Sequence, residues 1–191
     1  TLDVGCGTKP YEKLFNHSTY VGLEFYTGID SEKKVAEFYY DGKTFPFNES
    51  EFDSVVTNQV LEHVFNPDEF LGEINRVLKT NGKLLLTVPF VWDEHEQPYD
   101  YARYSSFGLK ALLEKNGFEI LELRKSVNDY RVLVQLFNGY IYKITRQNIF
   151  IKNLALILVI APVTIFGILI SKLLPKNNDL YLDNIVLAKK K

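Results

Sequence analysis

Two short stretches of this 191-residue chain hold residue types that chemistry needs. The first is Leu2-Asp3-Val4-Gly5-Cys6-Gly7. Its two glycines stand one residue apart at the carboxyl end of a strand-like run, where backbone without a Cβ lets a ligand approach closely. That is a nucleotide-type loop. A dinucleotide fingerprint needs a third glycine at position 10, so that the following helix packs on the strand; Pro10 stands there and disfavours NAD. The second stretch, Trp92 to Tyr104, gathers His95, Asp93, Glu94, Glu96, Asp100, Arg103 and three tyrosines. Stopping a strand requires none of these, and loops held by a rigid scaffold commonly carry function, so the stretch reads as a substrate lip. His95 is the candidate general base, with Glu94 or Glu96 orienting it. In the alternative reading His95 braces the loop and Arg103 pairs with Asp100 or Asp93. One histidine among loosely spaced acids falls short of any metal-ligand pattern, and no metal is expected.

The elements that must position these stretches alternate in an α/β rhythm. Strand-like runs are TLDV, YVGL at 20–23, VAEFYY at 35–40, DSVVT at 53–57 and KLLLTVP at 83–89. They are nearly continuously apolar, as parallel strands covered on both faces should be. Before the fifth run lies a marked helix: Asn66 at the cap, Pro67 at the first position, Asp68 and Glu69 in the first turn. Phe70, Leu71, Ile74, Val77 and Leu78 form its apolar face, and Asn81-Gly82 is the expected stop. A second helix is predicted from Ser105 or Ser106, burying Phe107, Ala111 and Leu112 and ending at Asn116-Gly117. FEILELRKS and DNIVLAKK complete the strands. The fold predicted is a doubly wound, mostly parallel, seven-stranded sheet.

With these elements in order, the sequence resembles the class I S-adenosylmethionine-dependent methyltransferases, whose first motif is an acid followed by G-x-G, as in Asp3, Gly5 and Gly7. The resemblance implies a pocket for S-adenosylmethionine formed by Asp3, Gly5, Cys6, Gly7, Glu24, Asp41, Gly42, Asn58 and Gln59. Glu24 stands where the family carries an acid for both ribose hydroxyls. Asp41, in YYDGKTFPF, matches the acid that binds the adenine amino group. Asn58 and Gln59, in EFDSVVTNQVLEHV, close the fourth strand facing methionine, and NRVLKTNGKLLLTVP resembles the next helix, turn and strand. Without the resemblance, Glu24 reads as a solvated strand end and Asp41 as a turn residue of Asp-Gly. His63, in LEHV, matches a frequent family histidine that either bridges loop backbone or meets substrate. The phrases GTKPYEKLF and HEQPYDYARYSSFGL resemble enzymes of surface-polysaccharide biosynthesis, which implies a saccharide or lipid-linked saccharide acceptor. Methyl transfer to its hydroxyl needs in-line placement and removal of a proton, roles expected of His95 with Glu94 and Arg103. The alternatives are a lipid or quinone-like acceptor, and a non-catalytic S-adenosylmethionine- or nucleotide-binding module.

The 22 basic and 24 acidic residues are interspersed, so no field favours nucleic acid. A single cysteine, Cys6, allows no intrachain disulfide and fits the cytoplasm. The sequence opens mid-strand and contains no methionine, so residues ahead of Thr1 are expected.

The methyltransferase domain is expected over residues 1–126 and 180–191, interrupted by a helical insertion over 127–179. Arg131 to Ile144 sets Val132, Leu133, Leu136, Phe137, Tyr140, Ile141 and Ile144 at helical spacing. Leu154 to Leu174 is almost wholly apolar and long enough to cross a ~30 Å hydrocarbon core. The strands on either side should share one sheet, so the chain must come back. The expectation is monotopic attachment through residues 130–174 to the inner face of the cell membrane, the amphipathic helix on the surface and the apolar segment in one leaflet. The alternative is a helix buried in a homodimer.

Overall fold

A computed structural model describes residues 1–26 and 35–191. Its strands are β1 (Leu2–Val4), β2 (Val21–Phe25), β3 (Phe38–Tyr40), β4 (Phe52–Asn58), β5 (Leu78–Pro89), β6 (Phe118–Lys125) and β7 (Asp183–Lys190). They form one sheet in the order β3-β2-β1-β4-β5-β7-β6. Leu2 lies opposite both Val21 and Val55, and Val4 opposite Leu23 and Thr57, so β2 and β4 flank β1 in parallel. β5 continues parallel to β4 and β3 parallel to β2. The carboxyl ends of β1, β2, β4 and β5 therefore share one edge of the sheet. β7 runs against β6: Ser126 N–H donates to the Asp183 carbonyl, and Lys191 N–H to that of Gly117. The mostly parallel α/β sheet expected from the sequence is the sheet observed.

The chain forms two units, Thr1–Pro89 with Glu96–Arg124 and Asn184–Lys191, and Phe90–His95 with Lys125–Asp183. In the first, Leu2, Val4, Leu23, Val55, Leu84 and Leu86 are buried along the central strands. Helix α1 (Pro67–Val77) covers them with Phe70, Leu71, Ile74 and Val77. Each such burial stabilises by about 1.5–3 kcal/mol. Asn66 holds the cap position of α1, but its side chain donates to Glu69 instead of accepting from the helix. The helix also ends earlier than Asn81-Gly82 predicts. Leu78 is already extended and pairs with Phe52, and Asn81, at φ 62°, turns within the β5 segment. Helix α2 (Ser106–Lys115) has Ser105 as its cap, accepting from Gly108 N–H, and ends at Asn116 and Gly117. It buries Leu109 and Leu113, whereas Phe107 is 83% exposed. The helix is rotated from the face expected for it.

The second unit is mainly a helical hairpin. Helix α3 (Arg131–Thr145) is followed by a continuous helix, Ile149–Ser171, made of α4 (Ile149–Ala155), a π turn over Leu156–Ile160 and α5 (Ala161–Ser171). Pro162 has no N–H to donate and would clash in a regular helix; the wider turn just ahead of it takes up the misfit. The two helices run antiparallel. Asn138 Nδ2 donates to Thr164 Oγ1 at 2.8 Å, and a Cβ on Gly167 would stand 2.5 Å from Val134 Cγ2, so backbone meets side chain there without a spacer.

Candidate active site

The loop leaving β1 is shaped by two glycines in the left-handed region, Gly5 at φ 74° and Gly7 at φ 51°. A Cβ on Gly5 would stand 2.3 Å from Val60 Cγ2, whereas one on Gly7 would meet nothing within 4 Å. Gly5 packs the loop against the segment after β4, and Gly7 leaves space open beside it. Gly5 N–H donates to the Leu23 carbonyl at 2.8 Å, and Gly7 N–H to Glu24 Oε2 at 2.8 Å, which ties the loop to β2. The result is a cavity of about 350 Å³ lined by Asp3, Gly5, Cys6, Gly7, Thr8, Pro10, Tyr11 and Asn58. That is the size of a small-molecule site.

Burial pushes the Asp3 carboxyl up, with Tyr20 O–H, which donates to Asp3 Oδ2, pulling it back. Glu24 is also buried, its Oε1 accepting from Phe25 N–H at 3.0 Å. Two carboxylates at the ends of neighbouring strands suit a ligand that brings hydroxyls or an ammonium. Burial raises the Cys6 thiol to about 12, so it stays protonated and serves as part of the wall.

Asn58 and Gln59 close β4. Asn58 Nδ2 donates to Tyr11 Oη at 3.0 Å, and Thr87 of β5 joins the two amides, donating to Asn58 Oδ1 and accepting from Gln59 Nε2. Gln59 reaches the site through this relay and does not line the cavity. Asp41 is exposed and accepts from Lys43 and Thr44 N–H, closing the turn that Gly42 permits at φ 87°. Those amides hold its carboxyl below the usual carboxylate range. The structure thus brings Asp3, Gly5, Cys6, Gly7 and Asn58 together in the cavity wall and attaches Glu24 to it, while Asp41 and Gly42 form a turn after β3.

The lip falls into both units. Within the first, Tyr101 and Ala102 N–H donate to the Glu62 carbonyl at 2.8 and 3.2 Å, and His63 Nδ1 lies 2.9 Å from the Tyr99 carbonyl. His63 therefore bridges loop backbone. Arg103 grips Asp100 through its two terminal guanidinium nitrogens at 2.5 and 2.6 Å, a fork that braces the lip. Within the second unit, His95 Nδ1 faces the Asp93 carbonyl at 3.2 Å, and Lys143 pairs with Asp93 at 2.8 Å and donates to the Glu94 carbonyl at 2.7 Å. Trp92, Asp93, Leu136, Gly139, Tyr140 and Lys143 line a recess of about 270 Å³.

Three residues of the site are not evident from the sequence. Tyr11 and Thr8 line the cavity beside the glycine loop, where the sequence marks them only as part of the phrase GTKPYEKLF. Glu62 is the third: it is fully buried, and neither carboxylate oxygen has a hydrogen-bond partner among the described residues. His63 Nε2 lies 3.9 Å from its Oε1.

Residues 2–86 match the family model described as a methyltransferase domain. Two proteins of Methanocaldococcus jannaschii, both of uncharacterised function, are 33% identical over 88 residues and 34% identical over 89, in each case 46% of this chain. The chain covers 43% and 39% of their lengths, less than half of either. Among solved structures, an S-adenosylmethionine-dependent methyltransferase from Mesorhizobium loti superposes with a TM-score of 0.60 at 11% identity, covering 99% of this chain and 89% of that one. The cyclase SpnF gives 0.60 at 21% identity, covering 99% of this chain and 74% of that one. Phosphoethanolamine N-methyltransferase 2 of Haemonchus contortus, in complex with S-adenosylmethionine, gives 0.59 at 19% identity, covering 99% and 48%. At these identities the likeness is one of fold.

Proposed function

We propose, on the premise that this chain carries a class I S-adenosylmethionine-dependent methyltransferase domain, that it transfers the cofactor's methyl group to a hydroxyl of a saccharide or lipid-linked saccharide at a membrane surface. The residues around the β1 loop fit that cofactor. They offer buried carboxylates, open space beside Gly7 and a cavity of about 350 Å³. When bound, S-adenosylmethionine supplies an electrophilic methyl carbon on a sulfonium.

The acceptor reading rests on the recess in the second unit. Trp92 and Tyr140 offer aromatic faces on which the C–H face of a pyranose ring packs, and the Asp93–Lys143 pair offers an acceptor and donors for its hydroxyls. His95 supports the hydroxyl chemistry. A carbonyl can only accept, so Nδ1 donates to Asp93, the tautomer that a base acting through Nε2 needs. In a transfer to a hydroxyl, such a nitrogen would take up the proton that the acceptor oxygen releases.

The membrane reading is supported by the hairpin. Its 23-residue helix Ile149–Ser171 has a mean hydropathy of 2.7 with 11% of the apolar window buried. Leu133, Phe137 and Ile144 line up as an exposed stripe on α3. Leaving so much contiguous apolar surface in water is unfavourable. The 15 residues of α3 reach about 22 Å, short of a ~30 Å core, which suits a hairpin lying in one leaflet.

The test is incubation of the chain with radiolabelled S-adenosylmethionine, membrane lipid extracts and a panel of activated sugars. Label entering a sugar-bearing product is expected. Label in a sugar-free lipid would replace the saccharide reading with a lipid acceptor, and cofactor binding without any labelled product would point to a non-catalytic module. Carbonate extraction of membranes, with and without residues 148–176, tests attachment; equal solubility of the two forms would end it.

A further inference from the structure

The sheet order places β2 and β4 on opposite sides of β1. A ligand lying across the β1 loop therefore has one end toward Glu24, at the end of β2, and the other toward Asn58, at the end of β4. The Glu24 side offers a carboxylate and so receives a ligand's donors. The Asn58 side has the opposite polarity.

That polarity follows from one hydrogen-bond relay. Thr87 Oγ1 donates to Asn58 Oδ1. The carboxamide oxygen thus faces Thr87, and the nitrogen is turned to Tyr11 Oη at 3.0 Å. Gln59 Nε2 donates into the start of the relay at Thr87, 3.2 Å away. Donation runs Gln59, Thr87, Asn58, Tyr11. At its far end the Tyr11 oxygen accepts from Asn58, so its own O–H is a donor at the cavity wall. The backbone under Tyr11 is fixed: Lys9 N–H donates to the Cys6 carbonyl and Leu14 N–H to that of Tyr11, both at 2.8 Å. Pro10 restricts the chain just ahead of it.

S-adenosylmethionine carries one anion, its α-carboxylate, and Tyr11 places a donor in the cavity wall beside Asn58, whereas Glu24 of β2 is joined to the loop through Gly7. We propose that Tyr11 O–H binds the α-carboxylate of the cofactor's methionine moiety, held in that orientation by Asn58, Thr87 and Gln59. The assignment rests on S-adenosylmethionine being the cofactor. It gives the Pro10-Tyr11 pair a role: the residue that excludes a dinucleotide glycine also sets the tyrosine over the anionic end of the ligand.

The experiment is calorimetric titration of the wild-type chain and Tyr11→Phe with two ligands, S-adenosylmethionine and its decarboxylated form, which differ by the carboxylate alone. Tyr11→Phe is expected to lose roughly tenfold to a hundredfold in affinity for S-adenosylmethionine, as befits a hydrogen bond to a charged group, and to bind the decarboxylated form as the wild type does. Equal losses for both ligands, or no loss for S-adenosylmethionine, would overturn the role of Tyr11 and leave the cofactor in place. A wild-type chain that binds neither ligand would overturn the cofactor, and this assignment with it. Thermal unfolding of both ligand-free proteins shows whether the phenylalanine variant keeps its fold, and Thr87→Val, which breaks the relay without touching the cavity wall, should reproduce the selective loss in weaker form.

Discussion

Gly7 N–H donates to Glu24 Oε2 at 2.8 Å, so the glycine loop after β1 is closed onto the end of β2 by the same carboxylate expected to meet the ligand's hydroxyls. Glu24→Gln keeps an oxygen for Gly7 and removes the charge; Glu24→Ala removes both. Cofactor affinity should fall in the order wild type, Gln, Ala, the alanine variant by tenfold or more, given about 1.5–3 kcal/mol for a hydrogen bond to a charged group. Calorimetry with S-adenosylmethionine decides it. Three equal affinities would remove Glu24 from the site.

Gly5 and Gly7 share a backbone conformation but not an environment. Both have positive φ, so alanine costs about 1–2 kcal/mol at either place. At Gly5 the added Cβ also drives into Val60 at 2.3 Å, while at Gly7 it enters open space. Gly5→Ala is expected to be the more destabilising by a further ~1 kcal/mol. Gly7→Ala should instead show its effect chiefly on ligand affinity. Urea unfolding of the two variants, paired with cofactor titration, distinguishes them, and equal stabilities would show that Val60 yields.

The contrast between these glycines marks how far the sequence is legible. Asp3, Gly5 and Gly7 can be placed because a strand-to-helix turn with close ligand approach admits few residue types. The central strands are legible as continuous apolar runs. Phe107 departs from the expected buried face because a helix with Phe107, Leu109, Ala111, Leu112 and Leu113 offers apolar residues on several faces, and only the neighbouring sheet chooses Leu109 and Leu113. The helix stop at Val77 is hidden by Asn81-Gly82, a strong turn signal that here bends the β5 segment. Tyr11 and Glu62 matter through partners far away in sequence, Asn58 for one and the 96–104 segment for the other. Local pattern does not show such pairs.

Glu62 gives the clearest pH dependence. Burial raises its carboxyl to about 7 from an ordinary value of 4.5, with Arg103 opposing the shift and Asp100 and Glu96 adding to it. A carboxyl with a raised folded pKa binds its proton more tightly in the folded chain. Its stabilising contribution is complete below about pH 4.5 and is lost as pH rises through about 7. Glu62→Gln mimics the protonated form. Wild type should lose about 2–3 kcal/mol relative to this variant between about pH 5 and pH 8, at roughly 1.4 kcal/mol per pH unit. Urea unfolding across that range measures the gap, and parallel profiles would show that Glu62 titrates normally.

The hairpin of the second unit is locked by a polar contact inside an apolar interface. Asn138 is buried, its Nδ2 donates to Thr164 Oγ1 at 2.8 Å, and its Oδ1 has no partner among the described residues. Removing one side of such a contact strands the other, while replacing both by apolar groups need cost little. Thr164→Val should therefore destabilise the hairpin by about 1–3 kcal/mol, and Asn138→Leu with Thr164→Val should be less destabilising than Thr164→Val alone. Hydrogen exchange of the α3 and α5 amides reads the hairpin without requiring the whole chain to unfold. If the double variant is the weaker of the two, the contact specifies packing at the Gly167–Val134 crossing and its role is not confined to satisfying Asn138.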